Sequence, residues 1–216
     1  MPDIPKPTGT AAEEVMGENW PEWSESNYAA KAQTLLAMAS NAQKNAQTTS
    51  ATATYTGQET DGKAYNKILE DLHLKTNEFT VYADEFAKAA GWVTHMGEQI
   101  AATKKKIVAE VKAHEANCIT GKTIDNMADM LKESQDVATH KANVVAAMAA
   151  LETEFTAGEA ACAADVIGAP PGGTPAIPEE IDPQSLPPGM PGTDPTAGAP
   201  TPGTTTPGGG GAGTTG

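Results

Sequence analysis

The chain has 216 residues and a formal net charge of −14, and all of its basic residues are lysines. Nucleic-acid binding depends on clustered cations, and arginine makes most of the specific contacts to bases, so this composition disfavours a nucleic-acid partner. No stretch approaches the ~20 apolar residues of a transmembrane segment, and the N-terminus lacks the apolar region of a cleavable signal peptide.

The first predicted helix begins near Glu22 or Ser24 and ends at Thr54, with Ser24 or Ser26 as its N-cap. Mostly small residues recur along it every three or four positions, which is the spacing of one helix face. Small side chains on that face let a neighbouring helix approach closely. The face consists of Tyr28, Ala32, Leu35, Ala39, Ala42, Ala46, Thr49 and Ala53.

A second, much longer helix follows the turn predicted at Tyr55-Thr56-Gly57 and begins near Thr60 or Asp61. From Tyr65 to Cys118 apolar residues recur in steps of four and three with no proline between them, as in a coiled coil. At about 1.5 Å per residue the helix would be roughly 80 Å long. Its seam positions are Tyr65, Leu69, Leu72, Thr76, Phe79, Ala83, Phe86, Ala90, Val93, Gly97, Ile100, Lys104, Ile107, Val111, His114 and Cys118.

The third predicted helix covers residues 124–164 after a turn over 117–122. Short turns favour antiparallel neighbours, so the pattern predicts an all-α, elongated antiparallel three-helix bundle of helical hairpins around one long central helix. The first helix is expected to cover the central one over 61–90, and the third to cover it over 81–118. Both ends of the central helix would then be only two helices thick.

At the end of the central helix near the first turn, where only the first helix packs on it, apolar side chains should stay exposed, because one neighbouring helix cannot cover all of them. Exposed apolar strips usually mark a partner. We therefore predict a partner interface at Ile68, Leu69, Leu72 and Phe79, with Trp92 as a further, half-exposed contact.

Composition divides the chain into three parts. Residues 1–18 are predicted to be an extended N-terminal segment and residues 19–164 the elongated helical domain. Residues 165–216 are rich in Pro, Gly and Thr, which cannot build a packed core, so they are predicted to be a disordered tail or linker. Trp20 and Trp23 stand at the beginning of the helical domain, and we predict that they anchor the start of the first helix.

No pattern in the chain argues for catalysis, a cofactor or a metal. His114 and Cys118 have a spacing that metals use, but a zinc site needs more ligands than the sequence supplies nearby. The run Gly121-Lys122-Thr123 lacks the preceding glycine and strand of a phosphate-binding loop. Cys118 and Cys162 would lie roughly 60 Å apart along one helix, so we predict two free thiols or an intermolecular bond.

The chain resembles the WXG100-like and PPE-like helical proteins of type VII (ESX) secretion systems in actinobacteria. The resemblance rests on the run NWPEWSESNYAAKAQTLLAMA, on Tyr55-Thr56-Gly57 at the position of the family's Trp-x-Gly turn, and on Asp61-Gly62-Lys63-Ala64-Tyr65 at the start of the second helix. It implies a secreted, non-enzymatic protein of the extracellular space or cell envelope that acts through helix–helix association as a structural or effector-delivery module.

The resemblance also implies partners. The family's export signal, Tyr-x-x-x-Asp/Glu after a helical hairpin, has no clean counterpart in this sequence, so a small helical-hairpin partner would supply it, unless the chain self-associates. Both would pass through the ESX secretion machinery without a cleavable signal peptide.

Two other functions are compatible with the same pattern. The chain could be the N-terminal targeting module of a larger secreted toxin or enzyme, with residues 165–216 as its linker. It could also be an unrelated helical scaffold, such as a phage or surface-structure component.

Overall fold

The computed structural model describes residues 2–59, 62–117, 127–164 and 166–178, and for residues 58 and 59 it describes the backbone only. Within these ranges the chain is helical and contains no strand, so the predicted all-α bundle is confirmed. The helices are α1 (Thr10–Val15), α2 (Glu25–Glu59), α3 (Lys63–Asn117) and α4 (Met127–Ala163).

The start of α2 is capped from two directions. The hydroxyl of Ser24 accepts a hydrogen bond from the backbone N–H of Asn27 at 3.1 Å, which confirms one of the two predicted caps. The carboxylate of Asp3 accepts the backbone N–H of Ser26 at 2.9 Å. That backbone hydrogen bond is the main reason why the pKa of Asp3 is lowered to about 2. The N-terminal segment is thereby tied to the start of α2.

The small-residue face of α2 packs on α3, as predicted. Gly97 of α3 lies so close to α2 that a Cβ atom built on it would be 3.2 Å from the Cβ of Tyr28. At the start of α2, Glu25 lies beside Lys104, so α2 reaches beyond the predicted limit at Ala90. The buried alanines of this face are Ala32, Ala39, Ala42, Ala46 and Ala53.

Helix α3 runs without interruption for 55 residues, which is about 80 Å at the rise of an α-helix. Eight of the fifteen seam positions that the structure describes are buried, all from Ala83 onward, and two of these eight are charged or titratable residues. The buried seam positions are Ala83, Ala90, Gly97, Ile100, Lys104, Ile107, Val111 and His114.

Helix α4 packs against the second half of α3 through Val144, Leu151 and Gly158. A Cβ atom on Gly158 would lie 3.4 Å from the side chain of Met96. The prediction that this helix reaches Val81 is wrong, because α4 ends at Ala163 and the chain continues along α3 in a non-helical conformation.

The N-terminal region contains the helix α1, where the sequence pattern predicts an extended segment. Gly9, with φ 106°, precedes this helix, and Gly17, with φ 55°, follows it. Ala12, Val15, Met16 and Trp20 form one buried cluster with Ile107, Val111 and Val144 of α3 and α4. The end of α3 near His114 is therefore covered by α1 as well as α4, so the prediction that both ends are two helices thick is wrong at this end.

The division into three domains stays a prediction, but part of the segment expected to be a disordered tail lies against α3. The backbone N–H of Ile167 donates to the carboxylate of Glu85 at 2.8 Å, and Pro170 is buried. Residues 179–216 lie outside the described part of the chain.

Candidate functional site

The first third of α3 carries apolar side chains that the described elements leave partly or largely open. Ile68 is 48% exposed, while Leu69, Leu72 and Phe79 are half-buried beside α2. Tyr82, 52% exposed, falls on the same helix face as Ile68, Leu72 and Phe79. We call these five residues the α3 strip. Four of them are residues predicted for the partner interface.

Further apolar side chains near the α3 strip were not predicted from the sequence. Leu74 and Val81, seven residues apart on a second face of α3, are 60% and 57% exposed. They are spaced as one stripe of the helix, but this stripe is not the predicted seam, so the seam pattern does not include them. The α2–α3 pair thus presents apolar groups on more than one side.

The turn predicted at Tyr55-Thr56-Gly57 is helical. These residues belong to α2, which continues to Glu59, and the first left-handed glycine after them is Gly62, with φ 152°. The side chain of Leu69 lies 3.9 Å from a Cβ atom built on Gly57, so Gly57 faces α3. Packing along α3 therefore outweighs the weak helix preference of one glycine.

The two tryptophans before α2 have different surroundings. Trp20 is buried with α1, and the ammonium group of Lys104 lies 5.4 Å from the centre of its ring. Trp23 is 39% exposed and stacks on Phe155 of α4 with ring centroids 4.5 Å apart. Both rings therefore contact other helices at the position where α2 begins.

Trp92 is not part of an open interface. It is only 9% exposed, and its indole N–H donates a hydrogen bond to the backbone carbonyl of Gly168 at 2.9 Å. The prediction of a half-exposed partner contact is wrong, because residues beyond α4 fold over this tryptophan.

A buried ion pair joins the start of α2 to the middle of α3, and the sequence alone did not reveal it. The ammonium group of Lys104 lies 3.0 Å from the carboxylate of Glu25 and donates to the backbone carbonyl of Trp23 at 2.7 Å. Both side chains are almost fully buried, at 5% and 0% exposure. Lys104 is therefore buried, whereas its neighbours Lys105 and Lys106 are exposed.

A second buried polar group joins α1, α3 and α4. His114 donates from one ring nitrogen to Asp136 at 3.0 Å and from the other to Glu14 at 3.1 Å. Because an ionised carboxylate only accepts, both hydrogen bonds form together when the imidazole ring carries a proton on each nitrogen. Burial opposes the charge by desolvation, but the hydrogen bonds to Asp136 and Glu14 outweigh it and raise the pKa of His114.

The neighbouring His140 donates to Glu110 at 2.6 Å. This hydrogen bond is the main reason why the pKa of Glu110 is lowered. Two histidines and three carboxylates therefore hold α1 and α4 on the end of α3 by charged hydrogen bonds.

We expect the free energy of unfolding to fall as pH rises above the ordinary histidine pKa of 6.5. Folding raises the pKa of His114, so its protonation stabilises the folded state below 6.5 and this contribution is lost as pH rises through the folded-state pKa. In His114→Gln the decrease with pH should be smaller. Near pH 6 the free energy of unfolding of this variant should be about 1.5–3 kcal/mol below that of the wild type, because hydrogen bonds to charged groups are lost.

Urea unfolding at about pH 6 and about pH 9 measures this difference. The control is His73→Gln, at an exposed histidine of α3, which should keep the wild-type pH dependence. An equal decrease in the wild type and in His114→Gln would contradict the assignment.

The described residues contain no group of three or more His, Cys, Asp or Glu side chains that could hold a metal ion. Every buried side-chain nitrogen or oxygen in that part of the chain has a hydrogen-bond partner. None of the described helices has the length and hydropathy of a membrane span. Cys162 is an exposed free thiol, whereas Cys118 lies outside the described residues.

Comparison with known proteins identifies the family. A family model described as a WXG100 like domain matches residues 3–120, which is more than half of the chain and includes α1, α2 and α3. No curated protein and no solved structure gives a significant match. The match begins close to the N-terminus, so it includes the segment that packs on α3 as well as the helical hairpin. The chain therefore belongs to the WXG100-like family of type VII secretion-related proteins.

Proposed function

We propose that this protein is a non-enzymatic type VII secretion substrate that binds a second helical hairpin along the α3 strip. The family supports the general class, a helical protein of the type VII secretion-substrate kind. The finer proposal is that the hairpin partner carries the export signal, and that the pair reaches the cell envelope or the culture medium as a structural or effector-delivery module.

The observation that carries this proposal is the uneven covering of α3. Ile107 is completely buried by its neighbours, whereas Ile68, on the same helix, is 48% exposed. Beside Ile68 only α2 is available among the described elements, since α4 packs on the second half of α3. A partner hairpin laid on the α3 strip would complete a four-helix arrangement with α2 and α3.

The binding energy would come from burial of apolar surface. Covering a large aliphatic or aromatic side chain completely stabilises by about 1.5–3 kcal/mol relative to leaving it exposed. The half-open residues of the strip would each contribute part of this, and together with the apolar surface buried on the partner they would offset the cost of association.

Glutamate at Ile68 is expected to weaken binding of the partner about tenfold to hundredfold, because the complex would bury an unpaired charge. The matched control is Val145→Glu on the outer side of α4, where Val145 is 49% exposed, and it should bind normally. The small WXG100 hairpin protein of the same secretion locus, co-expressed and titrated by calorimetry, serves as the partner. Equal binding by wild type, Ile68→Glu and Val145→Glu would contradict the proposed interface.

Secretion itself is tested by the amount of protein in culture filtrate and cells, in strains with and without a working type VII machinery. The wild type and Val145→Glu should be in the filtrate only when the machinery works. Less Ile68→Glu than wild type should reach the filtrate, since this variant binds the partner that carries the signal more weakly. Export in the strain without the machinery would contradict the proposed function.

A further inference from the structure

Helix α1 covers the end of α3 that the proposed partner surface does not use. Its buried side chains contact a cluster of residues from α3 and α4 that includes Ile107, Val111 and Val144. A helix of six residues is too short to be stable by itself. Helix α1 therefore keeps its conformation only while its contacts with α3 and α4 last.

The chain is attached to the rest of the protein on both sides of α1. Before α1, the carboxylate of Asp3 accepts a backbone N–H of α2 at 2.9 Å. After α1, the ring of Trp20 is buried with the ammonium group of Lys104 5.4 Å from its centre. Between these attachments, Gly9 and Gly17 flank α1 with φ angles of 106° and 55°, which favour glycine. The segment bounded by the two glycines, which we call the α1 cover, can therefore move away from α3 while both of its ends stay attached.

One side chain of the α1 cover contacts a buried histidine of α3. The ring nitrogens of His114 lie 3.1 Å from the carboxylate of Glu14 in the cover and 3.0 Å from that of Asp136 in α4. A second histidine, His140, contacts both Asp136 and Glu110 of α3, and its ring centroid lies 6.0 Å from that of His114. With both rings protonated, this group of five side chains carries one net negative charge, and with both rings neutral it carries three.

Loss of a proton from His114 removes one of its two hydrogen bonds, because a neutral imidazole has one donor and one acceptor nitrogen. The carboxylate of Asp136 also contacts Asn117 and His140, which keep it in place. The side chain of Glu14 is 46% exposed, so it can turn into water. The hydrogen bond that is lost is therefore the one between α1 and α3.

The other helices keep their packing when this hydrogen bond is lost. In its second half α4 is held on the bundle by the buried residues Leu151 and Gly158. There, Phe155 also stacks on Trp23. These contacts lie far along α4 from Asp136, so they do not depend on the charge of His114.

The charge of His114 changes in a defined direction with pH. Desolvation opposes the charge, but the hydrogen bonds to Asp136 and Glu14 raise the pKa of His114 above its ordinary value of 6.5. The ring is therefore charged below 6.5 and becomes neutral as pH rises through the raised pKa. The contact between Glu14 and His114 is strong in mildly acidic solution and weak in mildly alkaline solution.

We propose that the α1 cover is a pH-dependent latch, which stays closed while His114 is protonated and opens locally when this ring becomes neutral. Opening uncovers the apolar side chains of Ile107, Val111 and Val144 while α2, α3 and α4 stay folded. The closed state hides this apolar surface, and the open state presents it to solvent. The proposal therefore concerns two folded states of the protein, in addition to the balance between folding and unfolding.

Hydrogen exchange of the full chain, measured by mass spectrometry, detects such local opening. The backbone N–H groups of Glu13, Met16 and Gly17 form hydrogen bonds inside the cover, and their protection against exchange is the readout. After correction for the intrinsic effect of pH on exchange, this protection should fall about ten- to hundredfold from about pH 6 to about pH 9. That range corresponds to the loss of one hydrogen bond to a charged group.

Urea distinguishes local opening from global unfolding. Local opening exposes little surface, so low concentrations of urea should leave the exchange of the cover amides unchanged. The amides around Ile100, which is completely buried in α3, should be better protected and should lose protection steeply with urea.

Glu14→Gln keeps the size of the side chain but removes its charge, so the protection of the cover amides should be lower at about pH 6 and should lose most of its pH dependence. The matched control is Glu13→Gln, at an exposed neighbour on the same helix, which should keep the wild-type pH dependence. Circular dichroism should show the same helix content in both variants.

Three results would overturn the proposal. The first is equal protection of the cover amides at about pH 6 and about pH 9 in the wild type. The second is the same pH dependence in Glu14→Gln as in Glu13→Gln, which would show that the contact between Glu14 and His114 does not control the cover. The third is exchange of the cover amides with the same urea dependence as the amides around Ile100, since α1 would then open only when the whole protein unfolds.

Discussion

Replacing Lys104 by methionine is expected to lower the free energy of unfolding by about 3–5 kcal/mol, the range observed when one partner of a buried ion pair is removed. The carboxylate of Glu25 is completely buried beside Lys104 and would lose its cation. The backbone carbonyl of Trp23 would also lose its hydrogen-bond donor. Methionine fills a similar volume, so the loss would come from the charges and not from a cavity.

The double variant Lys104→Met/Glu25→Leu removes both charges. Its free energy of unfolding therefore shows how much of the loss in Lys104→Met comes from leaving Glu25 buried without a cation. Replacing a buried ion pair by apolar residues of similar size is often neutral or stabilising, so the double variant should be more stable than Lys104→Met alone. Urea denaturation of the wild type, both single variants and the double variant gives the coupling energy. A double variant less stable than either single variant would mean that the two side chains act independently.

Truncating Ile107 to alanine is expected to cost about 2–5 kcal/mol, because the residue is completely buried and its methyl groups would leave a cavity. Ile107 lies in the cluster that α1 forms with α3 and α4. The truncation should therefore also weaken the packing of α1 on α3, and the amide hydrogens of α1 should exchange faster with solvent.

Ile68→Ala is the matched control, since it removes the same atoms from the same helix at a position that is 48% exposed. In the isolated protein it should cost less than about 1 kcal/mol, because little buried surface is lost. In the complex with the hairpin partner the cost should be larger. Equal losses at Ile107 and Ile68 in the isolated protein would contradict the unequal covering of α3.

The long helix and its seam were predictable because they rest on local periodicity. Steps of three and four residues define one helix face whatever the tertiary structure is, and Ala83, Ile100 and Val111 are buried as that pattern predicts. The small residues on α2 were predictable for the same reason.

The short helix α1 was not predicted, since six residues are too few to show a period. A signal was nevertheless present, because Ala12, Val15 and Met16 are spaced as one helix face between Gly9 and Gly17. The end of α2 was also placed too early, because a glycine is a weak signal when the residues around it pack on a neighbour.

The polar groups of the core depend on residues far apart in the chain. Lys104 and His114 occupied seam positions in the sequence pattern, which marked them as unusual without naming their partners. Glu25 is 79 residues from Lys104, and Glu14 is 100 residues from His114. Their pairing requires the register between helices, which no local pattern contains.

The sequence by itself determined that this protein is a set of long amphipathic helices with a family resemblance to type VII substrates, because helix faces are local properties of the chain. Only the tertiary structure decided which apolar residues stay open, which charges are buried together, and that Pro170 and Pro175 rest on Gly91. Those properties depend on the register and the distance between segments, and burial is settled only when the segments meet.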